Sequence, residues 1–246
     1  RKYVFYIFTI ILSFGGFKSY AHDFESINNG ETIFYKITSS KFPYTVEVSF
    51  KGDNYYSYSN EYKGSISIPL TVKNNGKTYS VTSISNYAFY YCSSLKSIKI
   101  PNSITSIGDY AFRNCSGLVS LYIPNSVVSI GKQAYRNCSS LNSVYIGNSV
   151  KSIGELAFFE CKKLESLNIS NSVQSIGMGA FSSCISLKSL IIPNSVISIQ
   201  EDAFQDCINL KSVIIGDSVN SIEDCVFQHC NALASLIIGN SVNSIG

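Results

Sequence analysis

Cysteines at 92, 115, 138, 161, 184, 207 and 230 recur at a constant interval of 23 residues, and most of the surrounding sequence recurs with them. This period constrains the fold more than any other feature. A unit so short cannot bury its own apolar face, so successive units must stack and share one core. Seven full units run from Val81 to Ser103, Ile104 to Ser126, Val127 to Ser149, Val150 to Ser172, Val173 to Ser195, Val196 to Ser218 and Val219 to Ser241. An eighth starts at Val242 and has reached only Gly246. The unit reads V-x-S-I-G-x-x-A-F-x-x-C-x-x-L-x-S-L-x-I-P-N-S, with Gly, Ser or Pro sharing the third position from its end. A chain that is 45% hydrophobic and 14% charged can supply the continuous core this requires.

Leu95, Ile98 and Ile100 have equivalents in every unit through Leu233, Leu236 and Ile238. Their alternation predicts a pleated strand with one apolar residue turned in and the next turned out, and successive strands then stack in parallel. The other half of the unit, I-G-x-x-A-F-x-x-C-x-x-L, spaces apolar residues three or four apart, which predicts a short helical turn on the convex side. Phe89, Phe112, Tyr135, Phe158, Phe181, Phe204 and Phe227 then form an aromatic spine in the core. The fold class expected is α/β: a leucine-rich-repeat solenoid with a parallel β-sheet face and short helical turns on the convex side, preceded by a small β-cap. These units resemble the BspA-like, or Treponema-type, leucine-rich repeats, whose signature is S-I-G-x-x-A-F-x-x-C-x-x-L-x-S-I/L-x-I-P. The resemblance covers residues 81–246, with local departures at Gln200 and Glu223 for the glycine, Tyr135 for the phenylalanine and Val226 for the alanine.

Residues 1–21 read as a secretory signal peptide: Arg1 and Lys2 lead into the apolar run Tyr3 to Phe14, and Ser19-Tyr20-Ala21 offers small residues for cleavage. The run falls short of the roughly 20 residues needed to span a bilayer, so no membrane span is expected apart from this peptide. Residues 22–80 read as an N-terminal β-rich cap and residues 81–246 as the solenoid. Tyr44 to Phe50 and Gly64 to Leu70 alternate as strands do, and Asn74-Asn75-Gly76 marks a tight hairpin. The segments Tyr62 to Pro69 and Gly76 to Ile84 also resemble the lead-in of BspA-like proteins. A cap is needed because a bare first unit would expose the core. Tyr55, Tyr56, Tyr58 and Tyr62 serve cap packing or, alternatively, a sugar site.

Packing is the reading for the cysteine column. Stacked equivalents lie about 4.8 Å apart with parallel Cβ vectors, whereas a disulfide needs Cβ atoms near 3.8 Å and facing each other. Cys225 stands outside the column and forms a C-x-x-x-H-C group with His229 and Cys230. Three potential ligands fall short of a closed metal site, so no metal is expected, and Cys225 is either free or paired with a cysteine beyond Gly246. Only His22 and His229 could act as imidazole bases, and neither belongs to a nucleophile–base constellation, so no enzyme and no cofactor are expected. Apart from Arg1, Lys2 and Lys18, the chain holds 16 basic and 16 acidic residues with no basic run, which sets nucleic acid aside.

Function in such a chain falls to outward positions of the sheet. The position between the last two apolar strand residues is Lys99, Tyr122, Tyr145, Asn168, Ile191, Ile214 and Ile237 in turn. Beside it run a column of serines and a column containing Lys96, Lys188 and Lys211. Lys96, Lys99, Tyr122, Tyr145, Lys188, Ile191, Lys211, Ile214 and Ile237 make up the candidate partner-binding face, because exposed apolar patches mark interactions. The alternative is that stacked isoleucines merely support neighbouring strands. The asparagine column from Asn102 to Asn240 reads as a turn ladder. Asn114, Asn137 and Asn168 lie in N-x-S sequons, which matter only in a eukaryotic secretory pathway. BspA-like proteins are associated with adhesion, so the resemblance implies an exported, adhesin-like module whose partner is a protein of the extracellular matrix or of another cell surface. The other reading is a scaffold or spacer displaying a domain outside this sequence.

Overall fold

The computed structural model describes residues 21–52, 54–55 and 61–246. The signal peptide read over residues 1–21 therefore lies outside the described residues save for Ala21, as do Tyr56 and Tyr58. The N-terminal segment contributes β1 (Phe24–Asn28), β2 (Glu31–Ser39), β3 (Thr45–Ser49), β4 (Gly64–Ser67), β5 (Thr71–Asn74) and β6 (Lys77–Ile84). Strands β5 and β6 form an antiparallel hairpin whose last register pair is Asn74 with Lys77. Its two-residue loop, Asn75-Gly76, has φ of 47° and 73°, the left-handed angles that Asn-Gly supplies at low cost. Asn29-Gly30 repeats the device between β1 and β2, with φ of 51° and 84°.

Two parallel ladders run along the repeats. The expected one is built from β7 (Leu95–Lys99), which pairs with β4, and from its equivalents, such as Ser120–Ile123, Ser143–Ile146 and Ser189–Ile192, which pair in two further groups. The other, which the sequence reading does not separate, is built from two-residue Ser-Ile strands from Ser106–Ile107 to Ser244–Ile245. This second ladder is continuous with the cap, because the Ser83-Ile84 end of β6 pairs with Ser106-Ile107 while its other edge holds β3. Cap and solenoid thus share one sheet, and β6 crosses the boundary expected at residue 80.

The helical turns expected on the convex side do not form. Each A-F-x-x-C segment instead carries two left-handed residues four apart: Tyr110 (58°) and Asn114 (63°), then Gln133 (53°) and Asn137 (59°), and so on to Cys225 (58°) and His229 (59°). A left-handed residue in every turn stops helix propagation. The amides are used differently as well. Those of Tyr110, Phe112 and Asn114 donate to the carbonyls of Lys132, Ala134 and Arg136 in the next coil (2.8, 2.7 and 2.8 Å), whereas Arg113 and Cys115 donate three residues back, to Tyr110 and Phe112 (both 3.1 Å). A helix would spend all these donors on itself. A segment this short is a poor helix nucleus, and successive tight turns leave half its amides to tie the coils together.

Inside, the columns are close-packed. Ala111, Phe112, Cys115 and Leu118 are fully buried, as are their equivalents in the neighbouring coil, Ala134, Tyr135, Cys138 and Leu141. The aromatic rings stack nearly parallel from Phe89–Phe112 (4.7 Å, 6°) to Phe204–Phe227 (5.9 Å, 13°). Tyr62 of the cap continues this spine, its ring 4.4 Å from that of Phe89. Its hydroxyl donates to the Ser49 carbonyl (2.7 Å) and accepts from the Phe34 amide (3.1 Å), so its polar end is satisfied inside the cap. The repeat glycine marks a close approach of backbones: a Cβ on Gly154 would lie 2.7 Å from the backbone of Gly131.

Candidate binding face

The candidate face divides into two patches. In the first, Tyr122 and Tyr145 are register partners, and their rings stack at 5.0 Å and 5°. Tyr122 is 55% exposed. One coil earlier, exposed Lys99 and Tyr122 share a cleft of about 740 Å³ walled by Ile68, Leu70, Ile98 and Ile100. In the second, Ile191, Ile214 and Ile237 are register partners in adjoining strands and are 64%, 42% and 57% exposed. They line a groove of about 970 Å³ whose rim carries Asn171, Asn194, Asp217 and Asn240.

What separates the patches is a break in the sheet. Ser120–Ile123, Ser143–Ile146 and Ser166–Asn168 form one group of strands and Ser189–Ile192, Ser212–Ile215 and Ser235–Ile237 another, with no pairing between Ser166–Asn168 and Ser189–Ile192. The Ser-Ile ladder continues unbroken beneath it. Lys96, Lys188 and Lys211 are exposed beside the strands, and Lys188 approaches Glu165 across the break at 4.0 Å. The asparagine column caps the turns: the Asn194 side-chain oxygen accepts the Asp217 amide (2.9 Å), and Asp217 accepts that of Asn240 (3.1 Å).

The cysteines are free, and those of the column are buried. Each column thiol from Cys115 onward donates to the carbonyl of the spine aromatic one coil earlier, as Cys138 does to Phe112 at 3.2 Å. Burial pushes the thiol of Cys161 up to about 12 and that of Cys230 up to about 11. Thiols so far from ionisation pack as small apolar groups and are poor nucleophiles. Of the C-x-x-x-H-C group, Cys230 points into the core column while His229 Nδ1 lies 2.8 Å from Asp206 Oδ1, so the three residues do not converge. Sequence reasoning named only Tyr55 of one further cluster, on the turn side. Tyr55, Tyr87 and Tyr110 stack in a row (3.9 and 4.9 Å) beside Tyr90 and Arg113. Its signal was readable at the same period of 23, in Tyr87 with Tyr110 and Tyr90 with Arg113.

The profile of the BspA type leucine-rich repeat region matches in six copies, over residues 72–188 and 151–246. Solved structures share the fold. The leucine-rich repeat protein of T. pallidum superposes with a TM-score of 0.56 at 25% identity, over 87% of this chain and 83% of that one. One from Bacteroides ovatus gives 0.53 at 25% identity, over 92% and 79%. A leucine-rich cell surface protein from Faecalibacterium prausnitzii gives 0.50 at 18% identity, over 88% and 95%. No curated protein matches the sequence at a significant level.

Proposed function

Because the chain belongs to the BspA type leucine-rich repeat family, we propose that it is an exported, surface-associated binding module that presents its repeat face to a protein partner on a matrix or another cell. The observation that carries this reading is the column Ile191, Ile214 and Ile237, exposed on adjoining strands and lining the groove. Three large aliphatic side chains in register on a water-facing sheet keep about half of their surface in water, which is the condition of an interaction surface. Residues 22–80 act as the cap that closes the first coil, with Tyr62 as its plug. Among the described residues no helix is long and apolar enough to cross a membrane.

The test is binding of residues 22–246 to a panel of extracellular matrix proteins and polysaccharides, with I191S/I214S/I237S alongside. Burying three isoleucines at an interface is worth roughly 3 kcal/mol or more, so the triple variant weakens saturable binding by about 100-fold while its melting temperature stays close to the parent's. Loss of folding in the variant with no partner for the parent supports the scaffold reading instead.

A further inference from the structure

We infer that Arg113 and Arg136 form an oxyanion site, taking a sulfate- or phosphate-type group, on the turn-bearing side of the solenoid and independent of the sheet face. One position of the unit carries Tyr90, Arg113, Arg136 and Phe159 in consecutive coils. The in-register stack holds equivalent residues about 5 Å apart, as Phe112 and Tyr135 show at 4.9 Å. Two guanidinium groups are therefore built side by side on a rigid scaffold, where like charges repel.

Among the described residues no carboxylate neutralises them, and neither arginine forms an ion pair. The acids nearest in sequence are engaged elsewhere: Asp109 Oδ1 accepts the Lys132 amide (2.8 Å), Glu155 pairs with the Lys132 ammonium (2.8 Å), and Glu160 faces Lys162 at 4.0 Å. The arginines are held by aromatic faces instead. The Arg113 guanidinium lies 6.0 Å from the Tyr90 ring and 5.7 Å from the Tyr110 ring, and that of Arg136 lies 4.7 Å from the Phe159 ring. Arg113 thus rests against rings of its own and the preceding coil and Arg136 against a ring of the following one, so that only the gap of one coil spacing lies between the two positions.

Among the described residues their donors are almost all uncommitted. Arg136 Nη1 reaches Gln133 Oε1 at 3.2 Å, and Arg113 Nε is shielded from solvent with no partner. A guanidinium offers five donors in a planar fork suited to oxygen pairs. One carboxylate saturates a single fork, whereas a tetrahedral oxyanion has oxygens enough for both at once. Such a group bridging the gap supplies the missing counter-charge and the missing acceptors together. Aromatic stacking has already ordered both side chains, which lowers the cost of binding.

The experiment titrates residues 22–246 with inorganic sulfate, inorganic phosphate and a sulfated disaccharide by calorimetry at constant ionic strength. The parent is compared with R113Q/R136Q and R113K/R136K. The expected result is one saturable site in the parent, lost in the glutamine variant and weakened about 10-fold or more in the lysine variant, which keeps the charge without the fork. Preference for sulfate points to a sulfated glycan as the source and preference for phosphate to a phosphorylated one. Retention on immobilised heparin gives a second reading, because the 16 basic and 16 acidic residues of 22–246 provide no global attraction. Absence of saturable binding in the parent overturns the inference without reference to any variant. Equal binding by parent and glutamine variant overturns it too.

Discussion

Tyr135 occupies the spine position held by phenylalanine in the coils on either side, and it is fully buried with its ring 4.9 Å from Phe112 and 5.1 Å from Phe158. Among the described residues its hydroxyl has no hydrogen-bond partner. Burial above all, with the neighbouring Cys138 and Cys115 thiols, drives its ionisation far above the ordinary tyrosine range. A hydroxyl taken out of water and left unpaired costs about 1–3 kcal/mol. Replacing Tyr135 by Phe removes that cost and forfeits a few oxygen contacts worth roughly 0.5 kcal/mol in total. Phe112 and Phe158 are fully buried in equivalent cages, so phenylalanine fits without strain. The net expectation is a gain of about 1–2 kcal/mol, or about 3–6 °C in melting temperature for a chain of this size. Urea unfolding followed by far-ultraviolet circular dichroism should show a higher midpoint with an unchanged slope, since the surface exposed on unfolding is the same. A melting temperature lowered by 2 °C or more would refute the reasoning, because it would mean that the hydroxyl is engaged in the folded protein.

Other parts of the molecule yield further expectations. Glu61, whose carboxylate accepts the Lys51 amide (3.1 Å), is pushed by burial from 4.5 up to about 7, so the folded state binds more protons than the unfolded one between those values. Stability should therefore fall by about 1–2 kcal/mol as pH rises from 4.5 to 7.5, and Glu61→Gln should flatten that slope in denaturation midpoints measured across the range. Gly154→Ala places a methyl against the Gly131 backbone and should destabilise by about 1–3 kcal/mol in the same assay. In thiol titration of the native protein, half-buried Cys225 should react first, with the seven column cysteines released only on unfolding. Rapid native labelling of Cys138 or Cys161 would contradict the packing described.

The parts legible in the sequence share a physical cause. The identity of the core columns depends on which side chains avoid water, and a period of 23 repeats that choice seven times, so Phe112, Cys115 and Leu118 could be assigned inward from one dimension. The Asn75-Gly76 turn was readable because its left-handed angles are a property of two residues. The convex segment was misread for a related reason. Apolar residues three or four apart report one buried side per turn, a spacing that a helix and a run of tight turns share. Only the hydrogen-bond partners tell them apart, and here they lie in the next coil. The columns Lys99, Tyr122, Tyr145 and Ile191, Ile214, Ile237 were likewise readable as outward, but their division into two patches was not, because it follows from strands that cease to pair after Asn168.

The sequence by itself determined the number of coils, the inward and outward columns and the cap's hairpin, since each is set by burial preference or by local backbone angles. Tertiary structure decided what the donors do across coils: the Ser-Ile ladder that welds cap to solenoid, the turn amides that reach Lys132, Ala134 and Arg136, and the rings on which Arg113 and Arg136 rest. Those choices depend on atoms brought together from about one full unit away, and no local preference encodes how two neighbouring coils settle against each other.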